Sequence, residues 1–296
     1  MNTPSKNSLI YMPCLDSEAL ATRNRTLLEL SRFDATILGE SAVTAIEAGY
    51  YSSANGTKVD WLALVENACQ RKVSIGPDAP LPDFEARHHP ETKIQVSNET
   101  TLIAARRLRD EEQNPLVLNF ANGVSPGGGF LNGARAQEET LCRSSALYAT
   151  LKDDPMYAHH RQRPLPDSSN WAIYSPDVPV FRTDDGQALA EPWLMNVLTC
   201  AAPYAPGVGR QQSASILKDR IHRILAIARA YGYDSLVLGA WGYGAFGNDA
   251  RQTASDFKAA FEIEFQGAFS DVLFAITDWS QDRRFLSPFR EIFSDH

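Results

Sequence analysis

The residues best equipped for chemistry are two adjacent acids, Glu138 and Glu139, preceded by Gln137 and standing seven residues beyond three consecutive glycines, Gly127, Gly128 and Gly129. A carboxyl group beside a ligand gives or takes protons. Placed within reach of a bond that breaks, it can protonate the leaving atom or activate water. Glycines let backbone amides approach a phosphate without interference from Cβ. Blander readings stand beside these: a Gly-rich turn also serves ordinary connections, and acids entering a helix complement its dipole. Neighbouring side chains of a regular helix diverge by about 100 degrees, so both acids address one ligand only if at least one precedes regular helix geometry. Adjacent carboxyls also titrate as a coupled pair.

The elements that must position these residues are legible as apolar patterns. Short apolar runs at Thr92–Val96, Leu116–Ala121, Trp193–Ala201, Ser235–Trp241 and Val272–Thr277 read as buried strands. Amphipathic stretches at Thr100–Glu111, Glu138–Leu151, Ser213–Tyr231 and Asp249–Gln266 read as helices between them. Strands alternating with helices predict an α/β sheet covered on both faces, and ligands in such sheets sit beyond the carboxyl ends of the strands. The window Leu116–Leu151 has that form: a buried strand, a Gly-rich loop, then the first turn of a helix.

Ahead of this region, Ser17 to about Val73 reads as mainly helical. A hairpin interrupts it, with the pair Asn55-Gly56 supplying the chemistry of a two-residue turn. The stretch Gly76–Pro90 holds four prolines and reads as a linker, which predicts a domain boundary near residue 85. Residues 1–85 then form a mainly helical extension expected to pack on a main domain of residues 86–296, the one that would carry any catalysis by the acid pair.

Composition excludes several classes. The 296 residues carry a net charge of −8 without a run of Lys or Arg, which disfavours tracking a nucleic-acid backbone or reading its sequence, so an anionic ligand must be held locally. Cys14, Cys69, Cys142 and Cys200 are scattered and form no CxxC pair, which argues for free thiols over a zinc site or a disulfide framework. His88, His89, His159 and His160 make two adjacent pairs without an acidic partner at a suitable spacing, so no metal and no role is assigned to them. The first twenty residues lack the apolar core of a signal peptide, and no run of eighteen apolar residues occurs, which predicts a cytoplasmic protein without a membrane anchor.

A second Gly-rich segment, GAWGYGAFGND at Gly239–Asp249, follows a predicted strand. Its Trp241, Tyr243 and Phe246 are either core aromatics or groups presented to a ligand. Glycines at 239, 242, 244 and 247 keep them off a regular helix or strand and favour presentation, with Asp249 capping the next helix.

The motif GGG, seven residues, then QEE resembles the signature of the poly(ADP-ribose) glycohydrolases, most closely their microbial-type branch. The likeness extends to NFAN at Asn119–Asn122 and to Gly239–Asp249, and it spans about Thr92–Thr277. It implies a macrodomain-like three-layer α/β/α sandwich with a mixed sheet and ADP-ribose in a cleft across the strand ends. It further implies Glu139 as general acid and then base, and Glu138 with Asn122 holding the ribose hydroxyls. Asn119 and Gln137 lie close by, and Gly127, Gly128 and Gly129 offer amides to the diphosphate and proximal ribose. Gly242, Tyr243, Gly244 and Ala245 close over the diphosphate and Phe246 packs on the distal ribose. Asn98, Glu99 and Thr100 read first as helix caps and only second as adenine contacts, Glu99 among the expected substrate-binding residues. Two departures from the animal enzymes, Pro126 with an extra residue before the glycines and Ala240 for a polar residue, bear on adenine recognition.

The resemblance implies an exo-acting hydrolase that shortens poly(ADP-ribose) from its free end, reverses ADP-ribosylation in the DNA damage response, needs no cofactor and acts as a monomer. Its partners are poly(ADP-ribose) or ADP-ribosylated proteins as substrate and ADP-ribose as product. Removal of single ADP-ribose groups from proteins is the rival activity. A reader that binds without catalysis is the rival of a different class, and an intact acid pair argues against it.

Overall fold

The computed structural model describes residues 8–84 and 87–294. The expected boundary near residue 85 falls on 85 and 86 and so lies outside the described residues. The strands are β1 (Ser8–Tyr11), β2 (Tyr50–Ser52), β3 (Lys58–Asp60), β4 (Val73–Ile75), β5 (Glu91–Ser97), β6 (Leu116–Ala121), β7 (Ala172–Arg182), β8 (Ala188–Ala201), β9 (Ser235–Leu238) and β10 (Asp271–Ala275). The helices are α1 (Glu18–Leu28), α2 (Arg32–Ala48), α3 (Leu62–Arg71), α4 (Thr101–Asp110), α5 (Gln137–Ser144), α6 (Leu147–Leu151), α7 (Pro155–Arg161), α8 (Ala205–Val208), α9 (Arg210–Ala230), α10 (Ala250–Glu262) and α11 (Ser287–Ile292).

The described residues of Met1–Asn24, Asp78–Leu116 and Pro203–His296 form one compact unit, and Arg25–Pro77 with Val117–Ala202 form a second. The fold class is the expected α/β one. In the first unit the strands run β1-β5-β10-β9, all parallel, with Val272 facing Ile94 on one side and Leu236 on the other. All four residues of β9 are buried, the continuous apolar signature of a parallel strand covered on both faces. Helix α4 packs on β9 and β10. Phe274 of β10 anchors the aromatic core, its ring centroid 5.4 Å from Phe257, 5.1 Å from Phe289 and 4.7 Å from Phe293.

The second unit orders its strands β6-β8-β7-β4, with β7 antiparallel to both β8 and β4. Helices α3, α5 and α6 pack on β7. The hydrophobic pattern missed β7, whose apolar run is broken by Pro176 and Pro179. The strand accommodates them by a bulge between Ser175 and Val178, where Asp177 takes φ of 53°. The helix expected over Glu138–Leu151 is interrupted at Ser145. That residue is extended and bridges Val180, and Ala146 N donates to Pro179 O at 2.9 Å, so pairing with β7 outweighs local helix propensity. The β2–β3 hairpin forms, but its loop is Ala54–Gly56 rather than a two-residue turn. Gly56 alone takes positive φ, and Ser53 N closes the loop on Thr57 O at 2.9 Å. Trp61, after that hairpin, is fully buried against Phe181 (4.6 Å) and Tyr51 (5.4 Å), and its indole N–H donates to Ala45 O at 3.0 Å.

All four cysteines are free thiols. Among the described residues no helix is long and apolar enough to cross a membrane, and no group of three His, Cys, Asp or Glu is placed to hold a metal.

The turn into α4 corrects one expectation. Thr100 alone caps the helix, its Oγ1 accepting from Ile103 N at 3.1 Å. Asn98 instead is a fully buried hub of the first unit. Its Nδ2 donates to Asp16 Oδ1 (2.9 Å) and Asp278 O (2.6 Å), and its Oδ1 accepts from Asn24 Nδ2 (2.8 Å) and Asp278 N (3.0 Å). Asn98→Ala strands these buried partners and is expected to destabilise the protein by about 3 kcal/mol, read as a lower urea midpoint at unchanged slope.

Candidate active site

Helix α5 opens at Gln137 behind Ala136, which offers no side-chain cap, and its first three side chains reach β6 and the loop that follows it. Gln137 Oε1 accepts from Phe120 N (2.9 Å) and its Nε2 donates to Leu118 O (2.8 Å), which grips β6 from the side. Glu138 Oε2 accepts from Asn122 N at 2.7 Å, and Oε1 accepts from Asn119 Nδ2 at 3.3 Å. Glu139 Oε1 accepts from Gly129 N at 2.9 Å. Its Oε2 has no hydrogen-bond partner among the described residues.

Both acids lie inside regular helix, contrary to the condition that one must precede it. They still converge, because their long side chains both reach the place where one residue, Gly128, lacks a Cβ. A Cβ built on Gly128 would stand 2.3 Å from Glu139 Oε1 and 3.0 Å from Glu138 Oε2. Gly128, at φ of 59°, thus meets both requirements for glycine, a left-handed backbone and a carboxyl pair where Cβ would be. The turn is held from below by α2. Gly39 presses so closely on Phe130 O that a Cβ there would come within 2.6 Å, and Arg32 Nε donates to Asn132 O at 2.9 Å. Arg143, one helical turn beyond Glu139, is buried and donates to Ala134 O (2.9 Å), fixing the entry to α5.

The loop after β6 is organised by Asn122. Its Oδ1 accepts from Val124 N (2.9 Å) and Ser125 N (3.0 Å), an Asx turn that leaves Nδ2 as the group available to a ligand. Asn119 donates to Thr199 Oγ1 at 3.2 Å as well as to Glu138, while its buried Oδ1 has no partner among the described residues. Turning this amide over would let Oδ1 accept from a protonated Glu138 and from the Thr199 hydroxyl. Sequence reading missed His160, from a pair given no role. Its buried ring bonds Gly123 O through Nδ1 at 2.9 Å, and nothing in residue type or spacing signalled that contact.

The second Gly-rich segment belongs to the first unit. Gly244 and Ala245 are exposed, and Gly242, Tyr243 and Phe246 are half-buried. Trp241 is fully buried and belongs to the core, which corrects its expected presentation to a ligand, while Tyr243 and Phe246 keep part of their surface exposed. The expected strand Ser235–Trp241 stops at Leu238 because Trp241 N turns back onto Gly239 O (2.8 Å). Buried Asn248, which sequence reading passed over, clamps the loop: Nδ2 donates to Gly242 O (3.0 Å) and Pro203 O (2.9 Å), and Oδ1 accepts from Ser213 Oγ (2.6 Å). Asp249 caps α10 as expected, accepting from Gln252 N at 2.9 Å. Glu99 is buried and paired with Arg107, Nη2 to Oε1 at 2.7 Å.

Burial pushes the Glu138 carboxyl from 4.5 up to about 8; the Asn122 amide works against this and the Glu139 charge adds to it. At neutral pH Glu138 is therefore largely protonated. Between these two values the folded chain keeps a proton that the unfolded chain has lost. The associated stability is complete below the unfolded pKa and is lost as pH rises toward about 8. Glu138→Gln, neutral at every pH, should show a smaller fall in melting temperature than the wild type between about pH 5 and pH 8. Parallel curves for the two proteins would mean that Glu138 is not a buried neutral acid.

Residues 39–183 match the family described as "Microbial-type PARG, catalytic domain". The crystal structure of poly(ADP-ribose) glycohydrolase from Thermomonospora curvata is 37% identical with a TM-score of 0.82, the match covering 88% of this chain and 99% of that one. The same enzyme bound to the inhibitor ADP-HPD is 36% identical with a TM-score of 0.80 and the same coverage. The enzyme from Deinococcus radiodurans in complex with ADP-ribose is 36% identical with a TM-score of 0.69, over 77% of this chain and 96% of that one. No curated protein matches the sequence. With its macrodomain-like α/β fold and a third of its residues shared over nearly the whole length of these enzymes, the chain belongs to the microbial-type poly(ADP-ribose) glycohydrolase family.

Proposed function

We propose that this protein hydrolyses the ribose–ribose O-glycosidic bond of poly(ADP-ribose), working from the free end and releasing ADP-ribose, with Glu139 as acid and then base. The observation that carries the division of labour is the different state of the two carboxyls. Glu138 has both oxygens engaged, by Asn119 and Asn122, whereas Glu139 is anchored through Oε1 and keeps Oε2 free. An anchored carboxyl with one free oxygen is suited to proton transfer; a carboxyl held at both oxygens is suited to fixing a ligand.

In this reading Glu138 and the Asn122 Nδ2 hold ribose hydroxyls beside the scissile bond, while Asn119 and Gln137 support them. The Glu139 carboxyl gives its proton to the departing ribose oxygen as the glycosidic bond breaks, then takes a proton from the water that adds to the anomeric carbon. Gly127, Gly128 and Gly129 offer backbone amides to the diphosphate and proximal ribose. On the family motif, Gly242, Tyr243, Gly244, Ala245 and Phe246 are proposed as further ligand contacts and Glu99 as an adenine contact. The free-end preference rests on the resemblance to the microbial-type branch, as do ADP-ribosylated proteins as the carriers of the substrate and a cytoplasmic monomer without a cofactor as the working form.

The test is to incubate purified protein with polymer-bearing, automodified substrate and, separately, with a mono-ADP-ribosylated protein, following released ADP-ribose by chromatography. Release of ADP-ribose from polymer is expected. Release from the mono-modified protein alone would move the activity to side-chain hydrolysis, and binding without release from either would make the protein a reader. Glu139→Gln keeps shape and loses proton transfer, so it should abolish turnover while ADP-ribose affinity stays within about tenfold, ~1.4 kcal/mol. Near-wild-type turnover in that variant would remove Glu139 from the role. Gly128→Ala drives a methyl group into both carboxyls and is expected to lower kcat/KM at least about a hundredfold, ~2.7 kcal/mol of transition-state stabilisation.

A further inference from the structure

The reactive carboxyls depend on where the chain turns after β6, and that turn is held from outside the QEE motif. Gly123 and Val124, the two residues after Asn122, each have their carbonyl taken by consecutive residues at the end of α7. His160 Nδ1 meets Gly123 O at 2.9 Å and Arg161 Nη1 donates to Val124 O at 2.7 Å.

The direction of the histidine bond is fixed by its other nitrogen. Ser169 N donates to His160 Nε2 at 3.0 Å, so Nε2 is the acceptor, and the ring proton sits on Nδ1 and is donated to Gly123 O. The Ser169 hydroxyl lies 2.7 Å from the same Nε2. The ring is buried, and the contact with Gly123 has no slack. A Cβ at Gly123 would come within 2.1 Å of Ser168 Oγ, so the segment carrying Ser168 and Ser169 presses directly on the loop.

Helix α7 is in turn anchored at its other end. Its cap Asp154 accepts from Met156 N (3.0 Å), from Ser74 Oγ (2.9 Å) and from Lys72 Nζ (2.8 Å). A chain of directed hydrogen bonds therefore runs from Lys72 and Ser74, through the length of α7, to the carbonyl that follows Asn122. A histidine with one nitrogen donating to a main-chain carbonyl and the other held by a main-chain amide has a single orientation, which suits it to fix a loop.

We propose that His160 is a positioning residue for the glycosidase reaction: by holding Gly123 O it places the Asn122 side chain against the ribose hydroxyls of the substrate. The inference rests on the reading of Asn122 and the acid pair given above. Asn122 N is also the donor to Glu138 Oε2, so displacement of the loop withdraws two groups that hold the same sugar.

The test compares wild type, His160→Leu and His160→Asn by steady-state kinetics on polymer and by calorimetric titration with ADP-ribose. Groups that hold the sugar in the ground and transition states alike appear in KM, so His160→Leu should raise KM and weaken ADP-ribose binding by about tenfold each with kcat little changed. A merely structural role would lower the folded fraction and hence kcat, leaving KM and the affinity of the remaining folded protein unchanged. Asn places an amide N–H near the position of the ring Nδ1, so His160→Asn should return both constants to within about threefold of wild type. An unchanged KM and affinity in His160→Leu, or a failure of His160→Asn to restore them, would overturn the inference while wild-type turnover leaves the function intact. A wild type that neither binds ADP-ribose nor cleaves polymer would overturn the function reading and this inference with it.

Discussion

The carboxyl of Glu138 is closed off from water where β6 ends and α5 begins, and its bond to Asn122 N at 2.7 Å joins the two elements. A buried acid is costly as an anion and acceptable as a neutral group, so its protonation state is settled by the fold. Most of what surrounds it is arranged around that fact. Gln137 fixes β6 beside it, Asn119 covers its second oxygen, and the Asx turn of Asn122 sets the chain that supplies its main-chain donor. Glu139, next in sequence, is spared this enclosure at Oε2 because its anchor comes from the glycine turn.

That arrangement demands an absence of side chains at several places, three of which act on the site's loop in different ways. Gly128 leaves room for both carboxyls, Gly39 of α2 lets the helix press on Phe130 O, and Gly123 admits Ser168. Each is a close approach imposed by packing within the second unit. The two ends of the loop are thus held by different means: close-packed backbone under the triple glycine, and directed hydrogen bonds from α7 beside Asn122. The first sets how near the acids come to one another. The second sets where the asparagine amide points.

Much of the fold was legible because burial writes period and run length into the chain. Strand β6 begins and ends where its apolar run does, and α4 and α10 stand where amphipathic period and cap residues place them. Strand β7 was not legible because Pro176 and Pro179 remove ladder donors, and only a partner strand makes a bulged, proline-containing segment worth ordering. The break at Ser145 is a tertiary decision of the same kind, since the residues are acceptable in a helix and the competing partner is β7. Among the site residues, Gly127–Gly129 and Gln137–Glu139 stood out by type and spacing. Trp241 was read as presented and is core, because an indole flanked by glycines carries the same signal in either case.

Sequence alone determined the chemistry available to this protein: an acid pair at a helix entrance, glycines ahead of it, a strand to aim them, and too little positive charge to hold a polyanion by diffuse attraction. Those properties reside in residue identity and in separations of a few positions, which the chain preserves whatever else it does. Only the tertiary structure decided which acid is sealed and which keeps a free oxygen, that both reach one glycine from within the helix, and that His160 and Asn98 are structural centres. These outcomes depend on desolvation and on hydrogen bonds between residues as far apart as Asn98 and Asp278. Such contacts leave no periodic trace in the chain, because burial of a polar side chain is fixed by the partners that surround it.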